Sequence, residues 1–381
     1  MMTSRLRSWP EPIVRVQTLS ESGIPRIPER YVKPPSERPS LIPNLAPRGR
    51  DRTRDSINIP VIDLADIMSS GDGSTLLLEH ISYACREWGF FQVVNHGVSD
   101  ELMGAAREAW REFFRLPVEA KQEYANDPST YEGYGSRIGV EREATLDWSD
   151  YFFLYHSPGS VRNPSKWPAH PPSLRELILE YGKEVTELCK RLLSLISRSL
   201  GCEADFLERA FGGGEEFGAC LRANFYPKCP QPDLALGLSA HSDPGFLTIL
   251  LPDPHVAGLQ VRQGDHWATV EPIPNAFIVN VGDQMQVVTN AIYRSVEHRV
   301  IVNSAKERIS LAFFYNPKSD LLIQPAQELV TEDRPALYSP MTYEEYRTYI
   351  RTKGPRGKSQ LQSLVRLATK KSTPELLRLN K

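Results

Sequence analysis

His241, Ser242 and Asp243 stand directly after the stretch LALGLSA. In extended chain, residues i and i+2 point to the same face, so an imidazole and a carboxylate can meet one ion there. His298, in YRSVEHRVIV, offers a third ligand. Two imidazoles and one carboxylate on one face of an octahedron leave open positions opposite, a ligand set suited to non-haem Fe(II) chemistry with dioxygen. Ten residues after His298, Arg308-Ile309-Ser310 opens another apolar strand. Again i and i+2 share a face, here presenting a guanidinium fork and a hydroxyl that suit the distal carboxylate of a dicarboxylic acid. Tyr226, in ANFYPKCP, can add a phenol hydroxyl. Each feature has a plain alternative. A lone His-x-Asp is often a loop, His298 alone fits a hydrogen-bonded strand position, and Arg308 beside Glu307 fits a surface ion pair. Against the last stands the cost of an arginine facing the core without an anion.

Three further arginines bear on the substrate. Arg222, in ACLRANFY, precedes Asn224 and Tyr226 at the strand repeat and shares their face. Arg347 and Arg351 are spaced i and i+4 in TYEEYRTYIRTKG, on one face of an expected helix. If that helix covers the mouth of the site, three guanidiniums converge on an anionic substrate. The alternative is a solvated helix face, paired with Glu344 or Glu345. Phe153, Phe314 and Tyr343 can form an apolar wall, or serve as ordinary core aromatics.

Several elements must position these groups. The pattern predicts a short helix near 16–22, a strand over 57–64, a helix over 76–88 and a strand over 90–95. Ser99 is an N-cap for a helix bearing Leu102, Ala106, Ala109 and Phe113, closed by Pro117. A long helix is expected over 173–200, with Leu177, Tyr181, Val185, Leu188, Leu192 and Leu195 as its apolar stripe. From about residue 219 the texture becomes eight short apolar segments separated by Pro, Gly and Asp, which predicts a sandwich or barrel of antiparallel strands. A closing helix is expected over 343–352. The implied organisation is an extension and loose linker over 1–56, a helical and mixed region over 57–215, a β core over 216–330 and a closing helix with tail over 331–381.

Bulk composition narrows the class. The chain has 381 residues, 40% of them hydrophobic, and a formal net charge of −2 with no basic stripe, which argues against nucleic acid. Five cysteines without a CxxC pair suit a reducing compartment. The N-terminus lacks the apolar region of a secretory signal, and the apolar runs are too short to span a bilayer. A cytoplasmic location is expected, with the nucleus left open, and a monomer without membrane attachment.

Taken together, PVIDL (60–64), WGFFQVVNHG (88–97), YEGYG (131–135), NFYPKCP (224–230), HSD (241–243), His298 and RIS (308–310) resemble the plant 2-oxoglutarate/Fe(II)-dependent dioxygenases. That is the family of anthocyanidin synthase, flavonol synthase and gibberellin oxidases. The resemblance implies a mixed α/β (α+β) fold whose core is a double-stranded β-helix (jelly roll) flanked by helices. It implies that His241, Asp243 and His298 hold Fe(II), and that Tyr226, Arg308 and Ser310, with Asn224 nearby, hold 2-oxoglutarate. O2 is then the oxidant, succinate and CO2 are released, and ascorbate supports turnover. WPEPIVRVQTLSESG, DWSDYFFL, FYNPKSD and YEEYRTYIRTKGPRGKS further resemble the branch of jasmonate-induced oxygenases. That branch implies hydroxylation of jasmonic acid at C12, lowering the active hormone and restraining defence. Its substrate carboxylate would lie on Arg222, Arg347 and Arg351, with Phe153 and Phe314 along the pocket. Tyr343 stands where a phenylalanine would be the closer match. A flavonoid oxidase or a gibberellin oxidase remains the alternative; a flavonoid, lacking a carboxylate, gives three arginines no purpose.

Overall fold

The computed structural model describes residues 9, 11–12, 14–39, 59–65, 74–213 and 217–365, so the expected linker lies outside the described residues from residue 40 on. The chain enters through α1 (Val16–Glu21), whose first amides need acceptors outside the helix. The Asp150 carboxylate supplies them, taking the Val16 and Gln17 N–H groups at 2.9 Å each. Strand β1 (Val61–Asp63) is shorter than expected and pairs in parallel with β2 (Phe90–Val94). Between them runs α2 (Thr75–Tyr83), continued by one π-helical turn, Ala84–Trp88. Gly89 then adopts φ +63, and a Cβ there would lie 2.3 Å from the Arg294 carbonyl oxygen, so only glycine fits.

Helix α3 (Asp100–Arg115) begins as expected, with the Ser99 hydroxyl accepting from the Leu102 amide at 3.2 Å. Its buried residues include Leu102, Ala106, Ala109, Trp110 and Phe113, one stripe at helical spacing. Two strands follow, β3 (Gly133–Gly135) and β4 (Asp150–Ser157). The long helix is α4 (Leu174–Ser199). Leu177 is only half-buried, because Leu174 and Ile178 take the N-terminal end of the stripe.

All eight segments expected after residue 219 form strands: β5 (Gly218–Tyr226), β6 (Leu238–His241), β7 (Leu247–Leu251), β8 (Leu259–Gln263), β9 (His266–Thr269), β10 (Phe277–Val281), β11 (His298–Val300) and β12 (Arg308–Asn316). Only three residues of YRSVEHRVIV are in regular strand. A short helix, α5 (Asp283–Val288), joins β10 toward β11, and α6 (Tyr343–Lys353) is the closing helix.

The strands make a major sheet in the order β1-β2-β10-β7-β12-β5-β4-β3 and a minor one in the order β6-β11-β8-β9, the two walls of the expected jelly roll. Four strands of the major sheet precede residue 216 and four follow it, so one sheet joins both halves of the chain.

The period of two sorts β5 and β12 into faces. Leu221, Ala223 and Phe225 of β5, with Ile309, Leu311, Phe313 and Tyr315 of β12, belong to the main core cluster. This is the side covered by α3 and α4: Phe225 stacks on Phe114 of α3 with ring centres 4.8 Å apart. The alternate residues, Arg222, Asn224 and Tyr226 with Arg308, Ser310 and Phe314, therefore face the interior of the roll. Burying the first set against helices is what aims the second set at the site.

Candidate active site

His241 closes β6 and His298 opens β11, and the two are directly paired across an antiparallel ladder. Asp243 lies in the turn after β6. Its Oδ1 is 3.6 Å from Nε2 of His241 and 3.6 Å from Nε2 of His298. The three ligand atoms all lie within 4.8 Å of one another, close enough to share one metal ion. Each imidazole is oriented from behind: Nδ1 of His241 meets the Ser239 carbonyl at 2.8 Å, and Nδ1 of His298 meets that of Val296 at 3.3 Å. With Nδ1 as the donor, Nε2 keeps its lone pair for a metal. The other oxygen of Asp243 is held from the major sheet, accepting from Thr248 Oγ1 at 2.6 Å and Asn280 Nδ2 at 2.8 Å.

These contacts set the protonation that metal binding requires. Burial, with His298 beside it, pushes His241 down to about 4, leaving it neutral at pH 7. Burial alone would raise Asp243. The facing His298 and His241, and the bonds from Thr248 and Asn280, hold it below the usual carboxylate range. A neutral imidazole and an ionised carboxylate result. The donor set fits a hard divalent metal with positions left open.

Next to this set a small recess of about 50 Å³ is lined by Asn224, Tyr226, Arg308 and Ser310, together with His298. Arg308 and Tyr226 pair across β12 and β5, as do Ser310 and Asn224. Arg308 is buried, its Nε donating to the Val256 carbonyl at 3.2 Å and Nη1 lying 3.5 Å from Ser310 Oγ. No carboxylate among the described residues pairs with it. Its charge therefore calls for an anion from outside the chain, and a guanidinium fork with a neighbouring hydroxyl fits the far carboxylate of 2-oxoglutarate. Gly258 makes room, since a Cβ there would press on Arg308 Cδ at 3.1 Å. Burial raises the Tyr226 phenol, against the pull of Arg308, so it remains a donor.

Above the metal set opens a larger cavity of about 880 Å³, with His241 and Asp243 among its lining residues. Its walls include Arg222, Arg347, Arg351, Phe153, Phe314 and Tyr343, so every residue expected at a substrate site faces one space. The plain alternative for the helix arginines holds in part: Arg347 pairs with Glu344. Glu345 instead forms a capping box with Thr342. Arg351 donates to the Tyr155 hydroxyl, and Arg222 lies over the Tyr151 ring with its guanidinium carbon 4.2 Å from the ring centre. The Nε atoms of Arg222 and Arg347 are buried without a hydrogen-bond partner. A buried N–H left unpaired is uncommon and marks where an acceptor belongs.

Sequence reasoning missed several contributors. Thr248 and Asn280 are lone polar residues inside the apolar strands FLTILL and AFIVNV. That interruption is a readable sign that something polar is being met. Tyr155 and Tyr131 reach the cavity from β4 and the loop before β3. The return segment after α6 lies against the metal strand, the Gly357 amide donating to the Ala240 carbonyl at 2.9 Å. In sequence, GPRGKSQ gives no sign of that contact.

A jelly roll holding two imidazoles and a carboxylate beside a dicarboxylate recess defines a non-haem iron oxygenase that takes an oxo-acid co-substrate. The model of the 2OG-Fe(II) oxygenase superfamily matches residues 217–317, and that of the non-haem dioxygenase N-terminal region known from morphine synthesis matches residues 59–170. Jasmonate-induced oxygenase 1 of Arabidopsis thaliana is 60% identical over 356 residues, 93% of this chain and 87% of the relative. The crystal structure of JOX2 in complex with 2OG, Fe and JA superposes with a TM-score of 0.86 at 57% identity, covering 94% of this chain and 100% of that one. Flavanone 3-dioxygenase 2 of Oryza sativa subsp. japonica is 42% identical over 331 residues, 87% of this chain and 92% of the relative. The chain belongs to the 2OG-Fe(II) oxygenase superfamily and, within it, to the jasmonate-induced oxygenases. It is a dioxygenase that depends on Fe(II) and 2-oxoglutarate.

Proposed function

We propose that this enzyme hydroxylates jasmonic acid to 12-hydroxyjasmonic acid, releasing succinate and CO2, and so lowers the active hormone and restrains defence signalling. The single observation that carries the reading is the convergence of Arg222, Arg347 and Arg351 on one cavity that opens onto the metal set. Two of them hold buried, unpartnered Nε groups, which a substrate carboxylate would satisfy. Phe153, Phe314 and Tyr343 then pack the cyclopentanone and its side chain, directing the far end of the acid toward the metal.

In this reading His241, Asp243 and His298 hold the iron, and Arg308, Ser310, Tyr226 and Asn224 hold 2-oxoglutarate. The bound iron and co-substrate supply the oxidising chemistry with O2. The protein orients the substrate, shields the reaction from water and fixes which C–H bond is presented. The enzyme is taken to act as a monomer, with ascorbate supporting turnover.

The test is aerobic incubation of the purified protein with Fe(II), 2-oxoglutarate, ascorbate and jasmonic acid, followed by mass spectrometry. Hydroxylated product and succinate are expected, both lost in Asp243→Ala. A hydrogen bond to a charged group contributes about 1.5–3 kcal/mol. Arg222→Ala is therefore expected to raise the KM for jasmonic acid roughly 10- to 100-fold. Turnover of a flavonoid or a gibberellin in preference to jasmonic acid would keep the iron chemistry and refute the substrate.

A further inference from the structure

We propose that Tyr346 and Asp283 are positioning residues that lock the arginine-bearing helix α6 to the metal-ligand turn, an assignment that rests on the substrate reading above. Tyr346 follows Tyr343 by three residues, and both rings are buried on the inner face of α6. The Tyr346 hydroxyl donates to Oδ2 of Asp283 at 2.6 Å, and the Ser242 hydroxyl donates to the same oxygen at 3.0 Å. Ser242 is the residue between His241 and Asp243. The Asp283 amide closes the link by donating to the Asp243 carbonyl at 2.8 Å. One carboxylate, only 1% exposed, thus ties the helix carrying Arg347 and Arg351 to the turn carrying two of the three candidate ligands.

The far end of the helix is tied to the loop before β3, and the segment beyond the helix is tied to β6. The Tyr131 hydroxyl donates to the Arg351 carbonyl at 2.6 Å, and the Gly357 amide donates to that of Ala240 at 2.9 Å. Apolar packing of Tyr343 and Tyr346 alone would hold α6 against the roll while leaving its rotation about its own axis soft. Directional backbone bonds hold the two ends of α6, and the bond to Asp283 adds the one from its buried mid-face to the metal-ligand turn; any rotation is amplified at the tips of long arginine side chains. Since misplacing a substrate by about 1 Å costs on the order of 100-fold in rate, the register of these arginines against the iron decides how well the C–H bond is presented.

The experiment uses the full chain loaded with Fe(II) and 2-oxoglutarate. Anaerobic calorimetry with jasmonic acid on wild type and Arg222→Ala tests the substrate reading by itself. On that background, Tyr346→Phe, which keeps the ring and deletes only the hydroxyl, is expected to weaken jasmonic acid binding and raise its KM about five- to tenfold. It is also expected to raise the succinate released per hydroxylated product, while leaving the KM for 2-oxoglutarate within about twofold. Ser242→Ala, which removes the other hydroxyl from the same carboxylate, should raise the same succinate-to-product ratio. A Tyr346→Phe enzyme with wild-type substrate affinity and coupling overturns the assignment. So does a parallel loss of 2-oxoglutarate affinity and melting temperature, which would mark a role in stability alone, and so does a Ser242→Ala enzyme with an unchanged ratio.

Discussion

Arg308 carries a buried charge that no carboxylate of the described chain answers, and its geometry matters as much as its sign. Lysine would keep the charge but lose the planar fork that grips two oxygens at once. Arg308→Lys is expected to raise the KM for 2-oxoglutarate about 10- to 100-fold, at roughly 1.5–3 kcal/mol for the bonds lost, with the KM for jasmonic acid little changed. Steady-state kinetics varying each substrate in turn will check this, and equal effects on both would remove Arg308 from the co-substrate recess. Arg308 and Ser310 are legible in the sequence because strand geometry puts i and i+2 on one face, whatever the rest of the fold does. The same holds for His241 and Asp243. Arg222 is legible for that reason too, given Asn224 and Tyr226 beside it. The hub at Asp283 is not legible, since its partners Ser242 and Tyr346 lie 41 and 63 residues away along the chain. Only the folded topology brings those hydroxyls to one oxygen.

At the scale of elements, α6 is held by its ends as well as by its buried face. The Thr342 hydroxyl accepts from the Glu345 amide at 3.3 Å, while the Glu345 carboxylate accepts from the Thr342 amide at 3.0 Å. Loss of such an N-cap typically costs about 0.5–2 kcal/mol. Thr342→Ala is therefore expected to loosen α6 locally, raising the KM for jasmonic acid several-fold and speeding amide exchange across 343–353 while exchange in β5 and β12 is unchanged. Uniform exchange across the whole molecule would show that the cap acts globally instead. This helix announces itself through TYEEYRTYIRTKG, where the tyrosines and arginines recur at helical spacing. Strand β4 does not. Within DYFFLYHS, residues 151–155 form one unbroken aromatic and aliphatic run, flanked by Asp150 on one side and His156 and Ser157 on the other. The folded strand alternates in burial from Phe152 onward, but with no polar residue inside the run that period is not written in the residue types, and a short apolar run cannot declare its type. Phe153 and Tyr155 could therefore be named or missed only as single residues, although the strand carries both into the cavity.

For the whole molecule, the N-terminal segment closes the roll through a charge pair. The Lys33 side chain, 1% exposed, lies 2.8 Å from Oδ1 of Asp147 and donates to Ser239 Oγ at 2.8 Å. Ser239 in turn donates to Asp147 at 2.6 Å and offers its carbonyl to His241. The pair thus joins the N-terminal segment, the approach to β4 and the metal strand β6. Burial alone would raise Asp147, but the attraction of Lys33 and the bonds from Lys33 and Ser239 outweigh it and hold the carboxyl below its ordinary value. A folded-state value below the unfolded one, about 3.9, means that the stabilisation is present above that pH and is lost as pH falls through the folded-state value. Removing one partner leaves a charge buried and unpaired, which costs about 3–5 kcal/mol, whereas replacing both with apolar residues is often near neutral. Lys33→Met should therefore lower stability at pH 7 by about 3–5 kcal/mol, and Lys33→Met with Asp147→Leu should recover most of it. Denaturant unfolding of the three proteins at pH 7 and again below pH 4, about the unfolded aspartate value, is the measurement. The gap between wild type and Lys33→Met should narrow at the lower pH, because protonated Asp147 no longer rewards the lysine. A gap that stays constant down to pH 3, about one unit below the unfolded value, would mean that Lys33 acts by packing its stem and not by its charge.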